Sequence, residues 1–185
     1  MYRTDSTHFA SWLLLIGALT PALAAGAPLV DAVESWDLAE VERLLEAGAD
    51  PNVIDRHSRN TPLLRAARND LDEIARLLLA HGAQVDFKAD EDGLTTALHV
   101  AASAGASAVI ESLLEAGADI RALDGIRWTP LMHAVAGGRA AVVQRLIDAG
   151  SPLDSRDVNG DGLLAIADMF GQDQLKDMLR QAGAR

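Results

Sequence analysis

An all-α solenoid, a stack of helix-turn-helix units joined by β-hairpin-like loops, is the fold predicted for this 185-residue chain, and three observations predict it. A glycine followed by a small residue recurs at Gly48-Ala49, Gly82-Ala83, Gly117-Ala118, Gly150-Ser151 and Gly183-Ala184, a period of about 34 residues, within the range of stacked-helix repeats. The steps from Ala27 to Gly48, Thr61 to Gly82, Thr96 to Gly117, Thr129 to Gly150 and Gly162 to Gly183, from the opening of each unit to its closing glycine, are all equal. Only the connectors differ in length, from Gly48 to Thr61, Gly82 to Thr96, Gly117 to Thr129 and Gly150 to Gly162, as expected when length changes are confined to surface loops. A fixed helical body with a variable connector belongs to a stacked array rather than to a closed globule with a catalytic cleft. Leu44-Leu45-Glu46-Ala47-Gly48-Ala49-Asp50 even recurs letter for letter as Leu113-Leu114-Glu115-Ala116-Gly117-Ala118-Asp119.

In chain order, the segment ahead of the array comes first. Arg3 precedes an apolar run from Trp12 to Leu19, Thr20-Pro21 interrupts it, and Ala22-Leu23-Ala24 follows. That order of basic start, hydrophobic middle and small-residue cleavage site resembles a secretory signal peptide over residues 1–24, with the mature chain starting near Ala25. The run is short for a membrane anchor, since a spanning helix needs ~20 largely apolar residues. The absence of cysteine excludes a lipoprotein and leaves no disulfide to stabilise the fold.

Within the units, Thr61-Pro62 and Thr129-Pro130 place a hydroxyl at a helix N-cap and a proline at the first helical position, where no N–H is needed. Gly105, Gly138 and Gly171 suit a tight turn between a short first helix and a longer second one; Gly48, Gly82, Gly117 and Gly150 suit the left-handed residue that ends the second. Ile74, Leu77 and Leu78, like Val142, Val143, Leu146 and Ile147, recur at helical spacing and form a stripe facing the neighbouring unit. Ala32, Ala66-Ala67, Ala101-Ala102 and Ala134 permit close approach of adjacent first helices.

Thr61-Pro62-Leu63, Thr96-Ala97-Leu98-His99-Val100-Ala101-Ala102 and Thr129-Pro130-Leu131, each followed at the same step from its Thr by Gly-Ala or Gly-Ser, resemble the Thr-Pro-Leu-His-x-Ala-Ala and Leu-Leu-x-x-Gly-Ala signatures of ankyrin repeats. A tetratricopeptide array would need a Trp-x-x-Leu-Gly-x-x-Tyr pattern that is absent. The resemblance implies a repeat domain over residues 25–185, with five repeats at approximately 25–57, 58–91, 92–124, 125–157 and 158–185. The first and last keep little of the motif, as terminal capping repeats do. It also implies that His99 bonds the loop backbones between repeats, that the second helices form a convex back, and that loop tips and first-helix ends line a concave face that grips partners.

Charge divides along the same lines. With residues 1–24 removed, Arg3 and Asp5 go and the net charge stays at −11, which argues against nucleic acid, whose phosphates need a basic footprint. Glu40, Glu42, Glu46, Asp72, Glu73, Glu111, Glu115 and Asp148 fall on second helices. The loops offer Arg56, His57 and Arg59, then Phe87 and Lys88, then Ile126, Arg127 and Trp128, and the first-helix ends add Arg68, Met169 and Phe170. Aromatic and arginine side chains are common interface anchors, so these are the candidate partner-binding residues. Trp128, just before a helix start, is expected to stand exposed as a partner contact, with packing against the neighbouring hairpin as the alternative; Trp36, at the first unit's turn, is expected to shield the N-terminal end.

Asp157-Val158-Asn159-Gly160-Asp161-Gly162, with Asp168 at loop position 12, satisfies the D-x-[DN]-x-[DN]-G calcium-loop pattern. Asp157, Asn159, Asp161 and Asp168 are thus candidate ligands, although the last acid is Asp rather than a bidentate Glu and a repeat hairpin by itself accounts for the same residues. No Gly-x-Ser-x-Gly elbow or phosphate loop occurs, and His57, His81, His99 and His133 lie in separate units. The expectation is a non-enzymatic, cofactor-free, monomeric module that binds another protein, with neither nucleic acid nor, once the leader is cleaved, membrane as partner. A composition rich in Ala, Arg and Asp with two lysines reads as bacterial, and hence the location as periplasmic. Exported bacterial relatives of this kind suggest an accessory or protective role, supporting an oxidative-stress enzyme or neutralising an effector. The alternatives are a calcium-binding or enzyme-associated regulatory domain, or a secreted host-directed effector.

Overall fold

The structure, a computed structural model, describes residues 26–55, 58–88 and 95–185. Ten helices in five antiparallel pairs make up the described residues, and no strand occurs among them. The pairs are α1 (Gly26–Glu34) with α2 (Leu38–Glu46), α3 (Pro62–Arg68) with α4 (Asp72–Ala80), α5 (Ala97–Ala104) with α6 (Ser107–Glu115), α7 (Pro130–Ala136) with α8 (Ala140–Asp148), and α9 (Leu163–Met169) with α10 (Asp173–Ala182). The segment 1–24 lies outside the described residues.

Local chemistry sets each boundary. The Thr61 and Thr129 hydroxyls accept from the N–H of Leu64 and Met132, both at 3.3 Å, while Pro62 and Pro130 fill the next position. Each second helix closes on a Schellman turn: in the first unit, the Gly48 N–H donates to the Leu45 carbonyl and the Ala49 N–H to that of Leu44, both at 3.0 Å. The geometry explains the recurrent Gly-Ala, because the glycine adopts φ +86° and the following alanine is buried. Between the helices of a pair, Gly105, Gly138 and Gly171 take positive φ as expected, but in the first two units Trp36 (φ 59°) and Asp70 (φ 53°) occupy that conformation.

First helices stack on first helices and second helices on second helices, forming two layers around one continuous core. Ala66, Ala67, Ala101, Ala102 and Ala134 are fully buried, so the backbones of α3, α5 and α7 come close with no gap to fill. Polar latches join successive units. The Arg139 side chain lies over the turn glycine Gly105 and its Nε donates to the Ser103 carbonyl at 3.1 Å. The Asp70 carboxylate accepts from the Val109 N–H at 3.2 Å, and Asn52 exchanges bonds with Gln84 N–H and the Gly82 carbonyl at 2.7 and 3.1 Å. Each latch spans about one period of the chain, which turns a series of hairpins into a rigid stack.

Candidate functional site

Three of the connecting loops are each organised by one aspartate. Asp55 accepts from the Ser58 N–H at 2.9 Å, Asp124 from Ile126 and Trp128 at 3.0 and 2.8 Å, and Asp157 from Asn159 and Asp161 at 2.7 and 2.9 Å. Such side-chain-to-backbone bonds fold a loop into a hairpin tip without a strand ladder. The hairpins carry short closing bonds instead, Asp124 N–H to Trp128 carbonyl at 3.1 Å and Asp157 N–H to Asp161 carbonyl at 3.0 Å. Neighbouring tips also join, through the Val158 N–H and the Ile126 carbonyl at 3.2 Å.

The residues of the calcium-loop pattern have other partners in this structure. The Asp157 carboxylate, held below the ordinary carboxylate range by the Asp161 and Asn159 N–H groups, also accepts from the Trp128 indole at 3.4 Å. Asp168 is ion-paired with Lys176 on α10. The pattern is that of a hairpin held by its first aspartate, and no group of acids or histidines suited to a metal is assembled among the described residues.

His99 ties the loop to the helices. Its Nδ1 lies 2.8 Å from the Thr96 hydroxyl and 3.4 Å from the Thr96 N–H, and its Nε2 lies 3.1 Å from the carbonyls of both Ala122 and Trp128. Carbonyls only accept, so Nε2 carries the proton and Nδ1 accepts from Thr96. Burial, reinforced by the neighbouring His133, lowers its pKa to about 4, against the opposing pull of the two carbonyls and Asp124. The ring is therefore neutral at pH 7, a structural clamp of the kind the motif implied.

Around that clamp the first-helix ends and the loop tips assemble a surface. The His133 ring stands edge-on to His99 at 5.5 Å and bonds Asp124 at 2.8 Å; Trp128 meets His133 at 5.2 Å and Phe170 at 5.9 Å, both T-shaped. Trp128 is thus half-buried rather than free-standing, nearer the packing alternative than the exposed expectation: its indole is held by Asp157, on the neighbouring hairpin, by His133 and by Phe170. Next to His99 and His133 opens a groove of about 410 Å³ lined by Arg68, Val100, Ser103, Ala104 and Arg139. Ile126, Val158, Met169 and Phe170 are exposed apolar side chains at the other end.

Not every candidate joins this surface. Arg56 and His57 lie outside the described residues, while Arg59 is exposed on the first loop with φ 52°. Phe87 packs back on the core, and Lys88 donates to the Leu123 carbonyl at 3.2 Å. Arg127 is exposed with φ 63°. Trp36, in a left-handed backbone conformation at φ 59°, is 64% exposed. Arg139, His133 and Val158 were missed as members, although the step of one period from Gly105 to Arg139 and from Gly138 to Gln172 marks that position in the sequence.

The two faces differ in how their charges are used. On the second helices Arg43, Arg76, Arg145, Lys176 and Arg180 all sit in ion pairs, among them Arg43–Glu40 at 2.6 Å, Arg76–Asp72 at 3.0 Å and Arg145–Glu111 across units. Arg59, Arg68, Lys88, Arg121, Arg127 and Arg139, on loops, turns and a first-helix end, make no ion pair with any described residue, while Arg65 within α3 pairs with Glu34 at 2.6 Å.

Comparison with known proteins agrees with this architecture. The family profile described as "Ankyrin repeats (3 copies)" matches residues 29–124, and "Ankyrin repeat" matches 127–158. The chain is 37% identical over 105 residues to SH3 and multiple ankyrin repeat domains protein 2 of Homo sapiens, covering 56% of this chain and 6% of that protein. Over 162 residues it is 32% identical to the Nuclear factor NF-kappa-B p105 subunit of Gallus gallus, covering 85% of this chain and 16% of that one. With the B-cell lymphoma 3 protein homolog of Mus musculus, identity is 36% over 89 residues, 48% of this chain and 19% of the other. The chain thus spans a small part of these relatives, and what it shares with them is the repeat array. Ankyrin repeats are, in general, non-enzymatic modules of protein–protein interaction. With stacked helix pairs, Gly-Ala closures and a His99 clamp matching profiles that span residues 29–124 and 127–158, the chain belongs to the ankyrin repeat family.

Proposed function

We propose that this chain is an exported, monomeric interaction module that binds another protein through its concave face and the tips of its later loops. The observation that carries this reading is the contrast between faces: the convex cations are neutralised in ion pairs, whereas the concave side, Arg65 apart, offers Arg68 and Arg139 without an ion-pair partner among the described residues, and an exposed apolar patch. Met169 is 59% exposed at the end of α9, where truncation removes contact surface and little core. The fifth helix pair, beyond the matched residues, is read as a further, degenerate repeat, since α9 stacks on α7 and its opening and closing residues keep the spacing of the other units. An accessory or protective role in the periplasm is the setting that fits, with no catalysis by the chain itself.

Two measurements test this. Met169→Ser/Phe170→Ser is expected to weaken capture of the partner by ~2 kcal/mol, mainly through faster dissociation, while Glu111→Ala/Glu115→Ala on the convex back leaves it intact. Loss of capture with the convex variant alone would reverse the face assignment. Export is checked by N-terminal sequencing of the periplasmic fraction, expected to begin just after Ala24; intact Met1 in the membrane fraction would make the leader an anchor instead.

A further inference from the structure

We infer that the concave strip is built for an acidic segment of the partner that carries an apolar side chain beside its carboxylates. The inference rests on the protein-binding reading above and adds the chemistry of what is bound. The strip is continuous: the groove of about 410 Å³ between Arg68 and Arg139 reaches His133, and ring contacts run from His133 through Trp128 to Phe170. Its two ends differ in character. One presents two guanidinium groups, the other an aromatic and aliphatic surface with Met169 at its edge.

Charge complementarity decides the occupant. The protein carries a net charge of −11, so cations left without a counter-ion are against the trend of the surface. Arg68 forms neither an ion pair nor a side-chain hydrogen bond with any described residue. Arg139 has only its Nε engaged, on the Ser103 carbonyl, and this contact holds the guanidinium at the groove wall with its terminal nitrogens available to a carboxylate. The nearby described acids are already committed. Asp124 bonds His133 and two backbone N–H groups, Asp157 bonds its own hairpin and Trp128, Asp168 pairs with Lys176, and Glu34 pairs with Arg65 at 2.6 Å. Among the described residues of this groove, a basic segment would meet two arginines without an ion-pair partner and no available carboxylate; nucleic acid would meet the overall negative field. An acidic segment gains carboxylate–guanidinium pairs at one end and apolar burial at the other.

The test is an unbiased peptide selection on the immobilised full chain, using a displayed random library of about 12 residues, long enough when extended to cover about 40 Å. Bound sequences enriched in Asp or Glu next to Leu, Ile, Phe or Trp are expected. Synthetic copies of them should bind about tenfold more weakly to Arg68→Glu, and their affinity should fall with added salt, whereas Arg76→Glu on the convex back changes nothing. Arg68 makes no polar contact with a described residue, so this variant isolates charge; Arg139→Glu follows with its melting curve, because it also releases Ser103. Peptides that depend on Met169 and Phe170 but are neutral or basic would overturn the acidic assignment and leave the docking face standing. Selected peptides indifferent to every concave substitution would overturn both. A dimer in sedimentation, dispersed by Met169→Ser/Phe170→Ser, would show a second copy as the occupant and likewise refute the inference.

Discussion

Replacing His99 with leucine is expected to destabilise the array by about 3 kcal/mol at pH 7, roughly 1–3 for an unsatisfied carbonyl and about 1 for a weakened helix cap. The side chain is fully buried, and its Nε2–H is the donor that reaches the Ala122 carbonyl while also bonding Trp128. Leucine fills similar space but leaves that carbonyl bare and takes away the Nδ1 acceptor of the Thr96 N–H and hydroxyl. The effect is long-range in sequence, since the residues joined lie 23 and 29 positions apart. Urea unfolding measures it, and His99→Gln, which keeps an N–H donor, should recover part of the loss. A leucine variant as stable as the wild type would show that the loop holds without the clamp.

Acid should unfold the same clamp. A histidine whose folded pKa is about 4, against 6.5 for the free side chain, binds fewer protons folded than unfolded between those values. Its contribution is therefore fully present above pH 6.5 and is lost as pH falls towards about 4. At 1.36 kcal/mol for each pH unit, the loss amounts to about 3 kcal/mol. Burial is the main cause and His133 the second, so the titration belongs to the packed interface between the third and fourth units. Other groups titrate over this range, and the His99 part is read as the difference between wild type and His99→Leu in urea midpoints at pH 7, 5 and 4. Parallel curves for the two proteins would mean that His99 does not report burial in this way.

The same residue shows how sequence and structure divide the work. The motif Thr96-Ala97-Leu98-His99 made the helix start and the histidine's role legible, because capping and hydrogen-bond chemistry act within a few residues. Which carbonyls it reaches was not legible, since Ala122 and Trp128 come into range only when the next unit stacks. Trp128 makes the complementary point. Its place before a helix start suggested an exposed side chain, whereas Asp157, His133 and Phe170, from three separate segments, close around it. Likewise the calcium-like pattern did not disclose that Asp157 holds its own hairpin N–H groups.

By itself, then, the sequence determined the repeat, its helix boundaries, the buried stripe and the family. Period, caps, glycine turns and apolar spacing are local properties, written within one unit of about 34 residues. Only the tertiary structure decided which surface is continuous. Arg68, Arg139, Trp128 and Phe170 are scattered along the chain, and it is the stacking of first helices that sets cations and rings on one strip while the second helices neutralise theirs in ion pairs. A surface assembled across units depends on the angle and register of packing, and those follow from the whole buried interface rather than from any single repeat.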